Sequence, residues 1–125
     1  MPSTSQDSIF ASTPLIFKSY LLYRPIASAA QNFKKPWRYG LGEKLQTAIL
    51  TIVEQTGQAL YARQPLKEPH ILKIIGTIQT VQLFIRLALD ENIINEHQFF
   101  AWSDQVEELS RMAGGWLASV RAGSN

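Results

Sequence analysis

Cysteine is absent from all 125 residues. That excludes disulfides, thiolate metal sites and a cysteine nucleophile together, and it fits a reducing compartment. Long apolar runs are missing too. The best stretch, Ile71 to Leu89, is broken by Lys73, Gln79, Gln82 and Arg86, short of the roughly 18 residues that a membrane span needs. Met1 to Ser8 have neither the basic start nor the apolar stretch of a signal peptide. A cytoplasmic protein with no membrane partner is expected, with residues 1–12 as a disordered tail. Signatures of catalysis are lacking as well. No serine sits in Gly-x-Ser-x-Gly, and Gly40-Leu41-Gly42 lacks the third glycine of a phosphate loop. His70 and His97 have no partner at metal-ligand spacing. The pairs Asp90-Glu91 and Glu107-Glu108 lack the Glu-x-x-His signature of a di-iron bundle and read as solvated faces. The expectation is a protein that is not an enzyme, with no catalytic residue, metal or cofactor.

The apolar fraction of 46% is that of a globular protein, and the length suits one domain with one core. Net charge is only +2, but it is unevenly spread. From Phe10 to Leu89 ten Lys/Arg face three acids, a net of +7, while Asp90 to Asn125 carries two against six, a net of −4. Such asymmetry points to an anionic partner for the basic part, or to basic and acidic faces of neighbouring copies meeting.

Apolar residues recur at helical spacing in four segments, and no strand pattern competes. The first opens at Thr13-Pro14, with Thr13 placed to cap and Pro14 at the first helical position. Leu15, Leu22, Ile26, Ala29 and Phe33 share its inner side, Pro25 should kink or split it, and Lys34-Lys35-Pro36-Trp37 should end it. The second runs from Gly40 or Leu41 to Arg63 and stops at Gln64-Pro65. The third begins near Pro69 with Ile71, Ile75, Ile78, Ile85 and Leu89 in line, which turns Gln82 toward the seam. Asn95 with Gln98 forms a capping box for the fourth, where Phe99, Trp102, Val106, Leu109, Ala113, Trp116 and Val120 alternate gaps of three and four. These observations predict an all-α antiparallel up-and-down four-helix bundle over residues 13–121, with 122–125 as a C-terminal tail. Ile49, Val53, Ile74, Val81, Phe84 and Ala88 lie off the main lines. One bundle is expected to leave part of that surface uncovered, so oligomerisation follows.

Three features are left over. Lys34, Lys35, Arg38 and Lys44 cluster with Trp37 and Tyr39 around the first connection, where cations can engage phosphates and rings can stack on bases. The plain alternative is a basic loop whose aromatics tuck into the core. Arg86 sits in an apolar stretch and is expected either to face a ligand or to pair with Glu54 or Glu108. Gly114-Gly115 lies inside the strongest helix, where each glycine costs about 1 kcal/mol against alanine. A backbone approaching closely, within the bundle or from another subunit, would offset that cost.

Arg38-Tyr39-Gly40-Leu41-Gly42-Glu43-Lys44-Leu45 resembles the segment that opens the second helix of the accessory variability proteins (Avd) of diversity-generating retroelements. Arg86-Leu87-Ala88 and Arg111-Met112-Ala113-Gly114-Gly115-Trp116-Leu117 resemble their third-helix arginine and their Gly-Gly-Trp ending. The similarity spans about Phe17 to Ser119 in the family's order, and the superfamily includes four-helix proteins encoded in intervening sequences of ribosomal RNA genes. The resemblance implies a homopentameric barrel of bundles with a basic surface. It also implies partners, a reverse transcriptase and its template RNA and DNA, in mutagenic cDNA synthesis. By position it assigns nucleic-acid or transcriptase contacts to Lys34, Lys35, Arg38, Lys44 and Arg86, and structural roles to Gly114, Gly115 and Trp116. The competing expectation is a self-assembling scaffold of the intervening-sequence type, with no nucleic-acid role.

Overall fold

The computed structural model describes residues 13–123; the expected tail over 1–12 and the last two residues of 122–125 lie outside them. Four long helices account for most of the chain: α1 (Pro14–Ala30), α2 (Glu43–Tyr61), α3 (Gln64–Asp90) and α4 (Glu96–Arg121). Among the described residues there is no strand. Helices adjacent in the chain pack on one another, and α1 closes the ring against α4. With short connections this is an up-and-down four-helix bundle.

The helix ends are set by local chemistry. Pro14 occupies the first turn of α1, but Thr13 makes no side-chain cap. Its side chain is buried, and only its carbonyl serves the helix, accepting from Ile16 and Phe17. Pro25 does not split α1, which runs unbroken through it. Leu21, whose carbonyl loses its helical donor, stands on the exposed side where water can replace it. The break expected at Lys34–Trp37 comes earlier, after Ala30, and Pro36 instead sits in the first turn of a new one-turn helix (Lys35–Trp37). That turn passes through a π turn (Arg38–Gly42) straight into α2. At Gly42 an added Cβ would stand 3.3 Å from Ala30 Cβ, Phe33 Cδ2 and the Trp37 carbonyl oxygen. The close crossing of α1 and α2 therefore favours glycine there, since a methyl group would be tightly packed on three sides.

Gln64-Pro65 starts α3 rather than merely stopping α2, because Pro65 falls in a first turn whose N–H groups have no helical acceptor. The start expected near Pro69 is thus about a turn late, and Pro69 lies inside the helix. Lys67 Nζ donates to the carbonyls of Ala59 (2.8 Å) and Leu60 (3.1 Å), covering the end of α2. Gln64 Nε2 to the Val120 carbonyl (3.2 Å) and Arg121 to Glu68 (3.1 Å) tie α4 to the same end. At the opposite end α3 closes in a Schellman motif: Asn92 takes φ 59° and its N–H donates to Leu89, while the Ile93 N–H donates to Ala88. The capping box of α4 is present in both directions, Gln98 N to Asn95 Oδ1 (2.8 Å) and Asn95 N to Gln98 Oε1 (2.9 Å).

The core runs the length of the bundle. Its α3 line is Ile71, Ile74, Ile78, Val81, Ile85 and Ala88, all essentially inaccessible. Their gaps of three and four make a better seam than the line through Ile75 and Leu89, which are half-buried. Val81 therefore takes the inward place expected of Gln82, which is exposed. Ile49, Ile74, Val81 and Ala88, expected off the main lines, are buried by the bundle itself. The uncovered apolar surface is elsewhere, with Leu83 70% and Phe100 62% exposed. Thr56 is the polar member of the α2 line, its hydroxyl donating to the Ile52 carbonyl at 2.7 Å. By length and composition alone α3 could cross a membrane, with a best-window hydropathy of 1.4, against the expectation that no run comes near. Its six most buried residues face the other helices.

Candidate nucleic-acid interface

The basic residues around the first connection are held at one end of the bundle. Lys34 is extended (φ −60°, ψ 150°), and the turn it starts lifts Lys35 and Lys44 to the surface. The two aromatics divide. Trp37 packs half-buried against the core, as the plain alternative expected, whereas Tyr39 stands 61% exposed. The Arg38 guanidinium lies 5.8 Å from the centroid of the Tyr39 ring, a cation–π distance. Its Nε is buried without a hydrogen-bond partner. A charged donor left unsatisfied carries a desolvation cost.

What sets this end apart is that its unpaired cations are clustered; Arg24, Arg63, Lys67 and Lys73 also lack ion pairs among the described residues but do not sit together with them in sequence. Among the described residues Lys18 pairs with Glu108, Arg86 with Asp90, Arg111 with Glu107 and Arg121 with Glu68. Lys34, Lys35, Arg38 and Lys44 take part in none of these pairs. Glu91 and Asn92 of the α3–α4 turn meet Lys34 and Trp37 across a cleft of about 340 Å³, too far for an ion pair. The four cations leave a local positive field aimed at solvent.

Arg86 does not join them. Its Nε donates to Asp90 Oδ1 at 3.0 Å, one turn along α3, and its side chain is 66% exposed. Neither Glu54 nor Glu108 is its partner; Glu108 is taken by Lys18. A carboxylate at i+4 on the same helix is simply nearer than either. Arg86 also lies about 200° around the helix from Phe84, so the two stand on different flanks of α3.

A groove of about 700 Å³ runs between the outer faces of α2 and α3, and Tyr39 and Lys44 belong to it. Lys73, Thr51, Thr77, Thr80 and Phe84 line it as well, and Gly76 with Ala48 leaves it hollow. Sequence reasoning missed Lys73 and the threonines. The only signal was a period in α3, with Lys73, Gly76, Thr77 and Thr80 sharing the flank beside the isoleucine seam.

Elsewhere the side chains offer structural contacts. His70 Nδ1 lies 2.9 Å from Gln55 Oε1, joining α3 to α2, and His97 is exposed. No group of three His, Cys, Asp or Glu stands together among the described residues. Gly114 and Gly115 are exposed, with nothing within 4 Å of an added Cβ. The expected close approach is therefore not made inside the bundle, because both residues point away from the Val106–Leu109–Ala113 face.

No known family model matches the chain, and no curated protein is significantly similar to it.

Proposed function

We propose that this chain is a non-catalytic accessory protein of a diversity-generating retroelement, of the Avd type, which binds the reverse transcriptase and the template RNA in the cytoplasm. The observation that carries the reading is the cluster of Lys34, Lys35, Arg38 and Lys44 at one end of the bundle, without carboxylate partners among the described residues and beside an exposed Tyr39. Phosphates suit unpaired cations, and an exposed ring suits an unstacked base. Assembly into a homopentamer would repeat the basic end around a ring, which makes a modest net charge sufficient. Arg86, neutralised by Asp90, is left out of the proposed contact.

The test is replacement of Lys34, Lys35, Arg38 and Lys44 by alanine, followed by RNA binding and co-purification with a retroelement reverse transcriptase. Binding should fall by at least tenfold while helicity by circular dichroism stays unchanged. Undiminished binding to both partners removes the proposal. A second reading, the self-assembling scaffold without a nucleic-acid role, is favoured by the bare glycines of α4 and by exposed Leu83 and Phe100. Salt separates the two: phosphate contacts weaken steeply as ionic strength rises, and an apolar assembly does not.

A further inference from the structure

The α2–α3 groove is built differently from the open basic end that it adjoins. Lys44 stands near its upper end and Lys73 lower down on the opposite wall, and neither has an ion-pair partner among the described residues. Counted from the α2–α3 turn at ~1.5 Å per residue, the two lie at about 26 and 14 Å, hence roughly 12 Å apart along the bundle. That distance matches about three to four nucleotides of a stacked strand at ~3.4 Å each. Between the lysines three of the four lining threonines are committed as donors. Thr51 donates to the Thr47 carbonyl (3.0 Å), Thr77 to Lys73 (2.8 Å) and Thr80 to Gly76 (3.2 Å). All three line the groove, and each hydroxyl oxygen keeps lone pairs that suit hydroxyl and amino donors on a ligand. Tyr39 and Phe84 line the upper end, where a base could stack. One carboxylate, Glu43, sits at the same end.

We propose that this groove is a track for a short single-stranded RNA segment, with phosphates at Lys44 and Lys73 and ribose 2′-hydroxyls directed at the threonine oxygens between them. Charge complementarity favours a polyanion over an apolar helix, for the lining is mostly lysine, threonine and glycine. Acceptors lying between two cations favour RNA over DNA, because the 2′-hydroxyl is the donor that DNA lacks. The inference rests on the RNA-binding reading above and adds Lys73 and the threonine wall to it.

The test uses the full chain and a fluorescent single-stranded oligoribonucleotide of mixed sequence, with binding read by anisotropy across a salt series. Lys73→Ala should weaken binding about three- to tenfold and lower the salt slope by about 0.7, the value for one phosphate contact on a single strand. Gly76→Leu is the second variant. Nothing lies within 4 Å of its new Cβ, so the fold should hold while the side chain fills the groove. It should weaken binding more than tenfold with no loss of thermal stability. Glu43→Gln should tighten binding, and the matching DNA strand should bind several-fold more weakly. If Lys34→Ala and Lys35→Ala weaken binding while both groove variants leave it untouched, the groove proposal falls and the basic end stands. If the wild-type chain binds no RNA, both fall. Equal affinity for DNA, displacement of the RNA by polyglutamate at matched charge, or loss of an oligomer in Gly76→Leu by light scattering would each overturn the RNA track.

Discussion

Alanine at Gly114 and Gly115 should stabilise the isolated chain, although both positions lie inside a helix whose glycines look constrained. An added Cβ meets no atom within 4 Å at either site, and neither has a positive φ. The only remaining term is helix propensity, about 0.8–1.0 kcal/mol per glycine replaced, or roughly 1.5–2 kcal/mol for the double variant. In a domain of this size, 1 kcal/mol moves Tm by about 3–6 °C, so the double variant should melt roughly 5–12 °C higher. Gly42→Ala provides the control of opposite sign. Its Cβ would meet three atoms at 3.3 Å, one of them a backbone oxygen, so overpacking should exceed the propensity gain and cost about 1 kcal/mol net. Thermal unfolding by far-ultraviolet circular dichroism over a dilution series measures all three. A lower Tm for the Gly114 and Gly115 variants in dilute solution would refute the reasoning. A fall confined to high concentration would show a second copy packed on that face of α4.

The remaining predictions concern stability and are read by urea denaturation. Ile78→Ala should cost about 2–5 kcal/mol, because the site is enclosed on all sides, while Gln82→Ala, one turn on, should stay within about 0.5 kcal/mol. Comparable losses at both would restore Gln82 to the seam. Asn95→Ala removes an acceptor from the capping box and should cost about 1 kcal/mol, mostly by fraying the start of α4. Ser19→Ala should stabilise by about 1 kcal/mol, since its buried hydroxyl has no hydrogen-bond partner; a loss of stability would show that a partner, such as an ordered water, holds it.

Much of the bundle was readable in one dimension because its signals are local. The alternation from Trp102 to Ala113 marks one face of a helix, and Asn95 with Gln98 stands three residues apart, close enough to fix a start. Proline was harder to read: Pro36 and Pro65 begin helices that they were expected to stop, and Pro25 and Pro69 are carried within others. A proline is compatible with both a first turn and a break, and neighbouring packing chooses between them.

Which residues belong to the basic end was likewise legible, since Lys34, Lys35, Arg38 and Lys44 are near in sequence. Whether each is left with free charge was not. Arg86 found Asp90, and Trp37 turned inward while Tyr39 turned out. Lys73 became a neighbour of Lys44 only because α2 and α3 pack side by side in opposite directions. Periodicity alone thus determined four helices and the inner face of α4, because those depend on residues three or four apart. The groove, the α3 seam and the partners of each charge were decided by tertiary packing, because they depend on residues that meet only after the chain has folded back on itself.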